Sequence, residues 1–177
     1  LAYGGTAWQF GVMPQDVMIK NNIFRNVTGY GYNATIYGLG RSQASSTRNV
    51  KNVTIEGNTF INPRKIVANM VGCDGVTISN NTVSTGAGLR MTWNGSQWYP
   101  VDCSIYLKDC TGVVVDDFRI HDKNLKESVI YIDKTCDAGD KGVSIRGVKA
   151  NVPAELPVVN DERAKAPPPP TSPTKAE

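Results

Sequence analysis

At 177 residues the chain is one domain by length and can bury a hydrophobic core. Nineteen basic against sixteen acidic residues leave a net charge of only +3, too mild and too evenly scattered to mark a nucleic-acid or anionic-membrane surface. No apolar run is long enough to span a bilayer, and a single histidine without a Cys-x-x-Cys pair argues against a zinc site.

The opening segment LAYGGTAWQFGV reads as part of a coil with no capping helix, so the chain is expected to be a piece of something longer, its N-terminal coils missing. From Asp16 a pattern close to Asn or Gly, then Val-x-Ile-x-x-Asn-x-Phe, begins and occurs five times. It reads DVMIKNNIF from Asp16, NVTIEGNTF from Asn52, GVTISNNTV from Gly75, GVVVDDFRI from Gly112 and GVSIRGVKA from Gly142. Within a unit apolar residues alternate, Val53 and Ile55 one way and Thr54 and Glu56 the other, the period of a half-buried strand. Aligned units give inward columns Val17/Val53/Val76/Val113/Val143, Ile19/Ile55/Ile78/Val115/Ile145 and Phe24/Phe60/Val83/Ile120/Ala150. Units that cannot bury an apolar face alone must stack.

Three units share an asparagine after the strand, at Asn22, Asn58 and Asn81. Identical Asn side chains one strand spacing apart, about 4.8 Å, can bond to one another and to turn backbone. The column continues as Phe118 and Val148, so the amide stack should end at the third unit.

Between units run further apolar strands, KIVANMVGC, CSIYLKDC and SVIYIDKTC, so each coil carries at least two strands. The repeat starts lie 36, 23, 37 and 30 residues apart, a short coil with loops added. Two such loops, Gly29 to Tyr32 and the Ser-rich Gly38 to Arg48, are candidates to line a groove. Cys73 and Cys110 precede Val76 and Val113 by three residues, Cys136 falls near that register, and Cys103 shares the column of Ile66. They read as buried thiols, with a disulfide within reach of stacked neighbours but not implied.

The most distinctive insertion is RMTWNGSQWYP, where Asn94-Gly95 signals a tight hairpin turn. Trp93, Trp98 and Tyr99 around it are candidates to stack on sugar rings, or else to cover the side of the stack. DDFRIHD holds the densest set of titratable groups. Asp116 and Asp117 are adjacent carboxylates of the kind glycoside hydrolysis or calcium-assisted elimination uses, and His121 with Asp122 suits proton transfer. Against a catalytic role, the outward column Lys20, Glu56, Ser79, Asp116, Arg146 sets Asp116 beside Arg146 as a cross-coil ion pair. The Asn-x-Ser/Thr sequons at Asn26, Asn33, Asn52, Asn80 and Asn94 follow from the repeat itself.

Beyond Val152 the pattern stops, and APPPPTSPTKAE is low-complexity sequence that builds no core. The expected architecture is therefore all-β: a right-handed parallel β-helix of about five coils over 1–152, with a disordered proline-rich tail or linker over 153–177.

The Val-x-Ile-x-x-Asn-x-Phe units from Asp16 to Val152 resemble the right-handed β-helices of the pectin-lyase-like superfamily. Within them DVMIKNNIFRNV, NVKNVTIEGNTFINP and IVANMVGCDGVTISNNTV are similar to the C-terminal coils of bacterial α-1,3-galactosidases, over about seventy residues, mostly repeat consensus. The resemblance implies a secreted, extracellular or periplasmic, monomeric protein acting on a polysaccharide or glycan, with no nucleic-acid or membrane partner. It implies a glycoside hydrolase whose acids lie on upstream coils, and no catalytic motif of that family falls on a position here. A polysaccharide lyase, the alternative, would need calcium and would draw on Asp116, Asp117 and Arg146; a hydrolase needs no cofactor. A third reading is a non-catalytic carbohydrate-binding or surface module.

Overall fold

A computed structural model describes residues 2–3, 14–27, 34–40, 48–89 and 101–165. Coil 1 comprises β1 (Ala2–Tyr3), β2 (Met18–Lys20) and β3 (Ile23–Arg25), and coil 2 comprises β4 (Ala34–Leu39), β5 (Val50–Glu56) and β6 (Thr59–Ile61). Coil 3 follows as β7 (Ile66–Val71), β8 (Cys73–Ser79) and β9 (Thr82–Thr85), and coil 4 as β10 (Cys103–Lys108), β11 (Thr111–Asp116) and β12 (Arg119–Asp122). Coil 5 is β13 (Ser128–Ile132), a single helical turn α1 (Gly139–Gly142), β14 (Val143–Arg146) and β15 (Lys149–Asn151); β16 (Val159–Asp161) and a 3-10 turn, Glu162–Lys165, complete the described chain.

Every third strand shares a sheet. Sheet A runs β1-β4-β7-β10-β13-β16, sheet B β2-β5-β8-β11-β14 and sheet C β3-β6-β9-β12-β15, all paired in parallel. The chain is a right-handed parallel β-helix solenoid of about five coils. Each coil has three strands, because what reads as one repeat bends in its middle and serves two sheets.

The bend has a simple cause. Sheet B passes to sheet C through two residues in all five coils, and the first of the two has positive φ each time: Asn21 (56°), Gly57 (65°), Asn80 (54°), Asp117 (42°) and Gly147 (65°). A left-handed residue turns the chain sharply within one peptide, and Gly, Asn and Asp are the residues that adopt it most cheaply. The repeat's small polar residues are thus corner pieces.

The apolar columns stack in the expected register. Val53 pairs with Val76 and Val113 with Val143, Ile55 pairs with Ile19 and Ile78, and Phe60 pairs with Phe24 and Val83. Phe24 and Phe60 lie face to face, centroids 5.0 Å apart and planes within 9°. Burying each such side chain contributes about 1.5–3 kcal/mol, and the columns form one continuous core from coil 1 to coil 5.

The amide ladder also forms. Asn22 donates from its backbone N and from Nδ2 to Asn58 Oδ1 (2.9 and 3.1 Å), and Asn58 donates in the same way to Asn81 Oδ1 (3.0 and 3.1 Å). Asn81 Nδ2 closes the stack on Ile55 O and Ser79 O. Phe118, fully buried, takes the next rung, and Val148 packs on the core beyond it.

Three details differ from expectation. Gly38 and Leu39 belong to strand β4 rather than to a loop, since Gly38 lets Met70 pack against its Cα; a Cβ there would stand 2.7 Å from the Met70 methyl. The cysteines begin a strand or sit at a corner instead of ending strands, with Gly72 (66°) and Asp109 (51°) making left-handed turns just before Cys73 and Cys110. The stack also continues past Val152, because β16 pairs with β13 and Arg163 locks it there, with its Nε and Nη2 on Asp161 and Nη1 on Asp137 O. Residues 166–177 lie outside the described residues.

All four cysteines are buried thiols outside any disulfide. Burial pushes the Cys110 thiol well above its ordinary value, and a thiol contact with Cys110, then burial, raises that of Cys136. Neither is a ready nucleophile.

Candidate functional site

The constant two-residue corner between sheets B and C fixes where length can vary. Every long connection leads into or out of sheet A: 26–33, 86–102 and 123–127 enter it from sheet C, while 40–49 and 133–142 leave it for sheet B. Loops carry recognition and chemistry while the scaffold holds them, so sheet A is the sheet around which this fold can build a site.

The outer column of that sheet is polar and aromatic. Reading across the strands, the register places Tyr37, Asn69, Tyr106, Tyr131 and Asn160 in one row. Ile105, Leu107, Ile130 and Ile132 on either side of the two tyrosines belong to the main core, so alternation turns the tyrosines to the other face. There Tyr106 joins a second, smaller cluster with Ala34, Ile66, Val101 and Cys103, and Tyr131 packs against it. The rings of Tyr106 and Tyr131 stack with centroids 5.5 Å apart and planes within 3°.

Asn69 and Tyr106 are fully buried in this row, while Tyr37, Tyr131 and Asn160 are partly exposed. Among the described residues neither amide atom of Asn69 has a hydrogen-bond partner, nor do the Ser104 and Ser128 hydroxyls on nearby strands. Each such group costs about 1–3 kcal/mol if it stays unpaired.

Tyr131 is one of the two partly exposed rings of the row. Burial, then the carboxylates of Glu162 and Asp133, push its phenol up to about 12, so it is a neutral hydroxyl at physiological pH. Glu127 adds to the same effect and anchors the strand start by accepting from Asp102 N at 3.2 Å. A flat, partly exposed ring is suited to a polyhydroxylated ligand, whose C–H face can lie against it.

The titratable residues singled out from the sequence lie elsewhere and do not form one cluster. Asp116 is on sheet B, one strand from Arg146, and the two pair at 2.9 Å. Asp117 is the left-handed corner residue and holds Arg119 through two bonds, 3.2 and 2.9 Å. His121 faces outward on sheet C, its Nδ1 2.8 Å from Asn151 Nδ2 on the next coil. Asp122, the next residue, is buried on the opposite face and accepts from Asn124 N at 2.9 Å. Trp93, Trp98 and Tyr99 lie outside the described residues, as do Gly29 to Tyr32 and positions 41–47; in the chain the three aromatics come between β9 and β10.

At the A–B corner Arg48 bridges three levels. It donates to Asp137 through both Nη atoms (2.9 and 2.6 Å) and to the Asp109 carbonyl through Nε (2.9 Å). The Arg48 bond, reinforced by Thr111, lowers the Asp137 carboxyl to about 2. Among the described residues no three His, Cys, Asp or Glu side chains come together as a metal site.

No family model, curated protein or solved structure matches this chain. The reading of the site rests on its own residues.

Proposed function

We propose that the chain is a β-helical module of a secreted carbohydrate-active protein of pectin-lyase-like type, and that it holds a glycan along the outer face of sheet A with Tyr131 as the stacking platform. The observation that carries this reading is the partly exposed Tyr131 ring, stacked on Tyr106 on the outer face of sheet A.

The module serves a glycoside hydrolase, with the cleaving acids beyond the described coils. Supporting that division, Asp116, Asp117 and Asp122 each have a local partner, and Asp122 faces away from His121. A lyase reading would need Asp116 and Arg146 free for calcium and for the proton, and they are engaged with each other. The test is calorimetric binding and turnover against galactosides, pectins and sulfated algal glycans, with and without calcium. Binding without turnover is the expected result. Calcium-dependent cleavage would favour the lyase, and an absence of binding to every glycan would remove the proposal.

A further inference from the structure

Three thiols meet at the corner between sheets A and B. Cys73, Cys110 and Cys136 belong to the main core, whereas Cys103 belongs to the smaller cluster on the other face of sheet A. Asp74 pairs with Thr111, which sets Cys73 and Cys110 on neighbouring rungs, and Asp137 N donates to Cys110 O at 3.1 Å, which sets Cys136 on the rung beyond. Neighbouring rungs hold Cα atoms about 4.8 Å apart, inside the span of roughly 4.4–6.8 Å that a disulfide bridges.

Cys110 and Cys136 are bracketed by further bonds. Asp109 N, one residue before Cys110, donates to Thr135 Oγ1, one residue before Cys136, at 3.0 Å. Arg48 spans the same two levels, with both Nη atoms on Asp137 and Nε on the Asp109 carbonyl. Between these bonds the two thiols touch. On its other side Cys110 meets a different kind of neighbour. Cys73 opens strand β8 and pairs with Val50, so the ladder fixes its backbone, and the roughly 90° twist about a disulfide would have to be taken up within the sheet. Cys136 lies in connection 133–142, outside any strand, with its N on Asp133 O in a local turn. That turn gives the freedom that the ladder denies.

We propose that Cys110 and Cys136 are a disulfide site that staples coil 4 to coil 5 at this corner, with Cys73 and Cys103 remaining thiols. The reaction is exchange with a small-molecule or protein disulfide. One cysteine thiolate attacks the reagent's sulfur and releases its first thiol, and the second cysteine then attacks the mixed disulfide and releases the other. The two cysteines give up two protons and two electrons, and the reagent leaves as two thiols. In the folded chain both sulfurs are buried, Cys110 wholly and Cys136 at 6% exposure, so exchange belongs to folding, before coil 5 closes against coil 4. An oxidising compartment follows from the secretion proposed above; the pairing itself depends neither on it nor on glycan binding.

The test refolds the full, unaltered chain from the reduced state in a buffer of reduced and oxidised glutathione, blocks remaining thiols with iodoacetamide, and maps tryptic peptides by mass spectrometry without reduction. Trypsin separates the four cysteines, so the expected product is residues 109–119 joined to 135–141 with the loss of two hydrogens, while Cys73 and Cys103 are alkylated. The same map of chain folded in a bacterial periplasm gives the answer if refolding in the test tube fails. Reductant should then lower the thermal midpoint of the bridged chain by about 5–10 °C, the scale of one native disulfide, and leave that of Cys110→Ser unchanged. Four alkylated cysteines in chain with a folded circular dichroism spectrum would overturn the proposal. So would a bridge from Cys110 to Cys73, or a midpoint in the bridged chain that reductant does not move.

Discussion

Asn58 gives two hydrogens, from its backbone N and its Nδ2, to the single side-chain oxygen of Asn81 at 3.0 and 3.1 Å, and both residues are fully buried. A carboxamide in that place satisfies a neighbour's backbone, a neighbour's side chain and two carbonyls of its own surroundings at once.

Asn81→Ala should therefore cost more than a surface amide. It strands Asn58 N and takes a donor from the carbonyls of Ile55 and Ser79, the latter keeping Gly57 N, and each buried group left unpaired costs about 1–3 kcal/mol. We expect a destabilisation of at least about 3 kcal/mol in urea titration, against less than about 1 kcal/mol for Asn22→Ala at the exposed end. Equal effects would mean that the ladder does not share its energy this way.

Asp117 separates corner from catalyst. Its φ of 42° makes a β-branched replacement costly, so Asp117→Val should destabilise by about 1–2 kcal/mol or more relative to Asp117→Gly in the same titration. Asp117→Gly loses only an exposed ion pair, worth about 0–1 kcal/mol. Similar stability of the two variants would show that the corner tolerates either backbone.

Much of this was legible in the sequence. The Val, Ile and Phe columns and the Asn rungs stack as the alignment of repeats indicates, because one residue type per column is what stacking requires. The third sheet was hidden because Ile55 and Phe60 look like one interrupted strand; the signal that could reveal it is Asn21, Gly57, Asn80, Asp117 and Gly147, all residues that accept a left-handed backbone. β16 was hidden by its three-residue length and the flanking Pro153 and Pro157. The tyrosine row had a trace in the matching Ile-Tyr-Leu and Ile-Tyr-Ile of β10 and β13, but side-chain alternation alone does not say which face of a buried sheet carries a site.

Asp116→Asn should leave glycan binding, and any turnover by the full-length protein, within about twofold of wild type, since the carboxylate serves Arg146 at the surface. A loss of about a hundredfold or more, the scale of a general acid or base, would return Asp116 to the chemistry.

The Arg48–Asp137 pair gives a pH dependence with a defined sign. The Asp137 carboxyl is lowered to about 2, so its folded form releases the proton more readily than the unfolded form. The stability this contributes is present above about pH 4 and is lost as pH falls toward 2. Arg48→Met should lower the thermal midpoint at neutral pH, with the gap from wild type narrowing between about pH 4 and pH 2. A gap of constant size across that range would show that Arg48 acts through its contact with the Asp109 carbonyl alone.

The most direct test of the sheet A assignment compares two variants against one glycan that the intact chain binds. Tyr131→Ala should weaken binding by at least about tenfold, as loss of an aromatic anchor does, while His121→Ala on sheet C should leave it unchanged. Unchanged binding in Tyr131→Ala together with loss in His121→Ala would contradict the account and move the site to the opposite side of the solenoid.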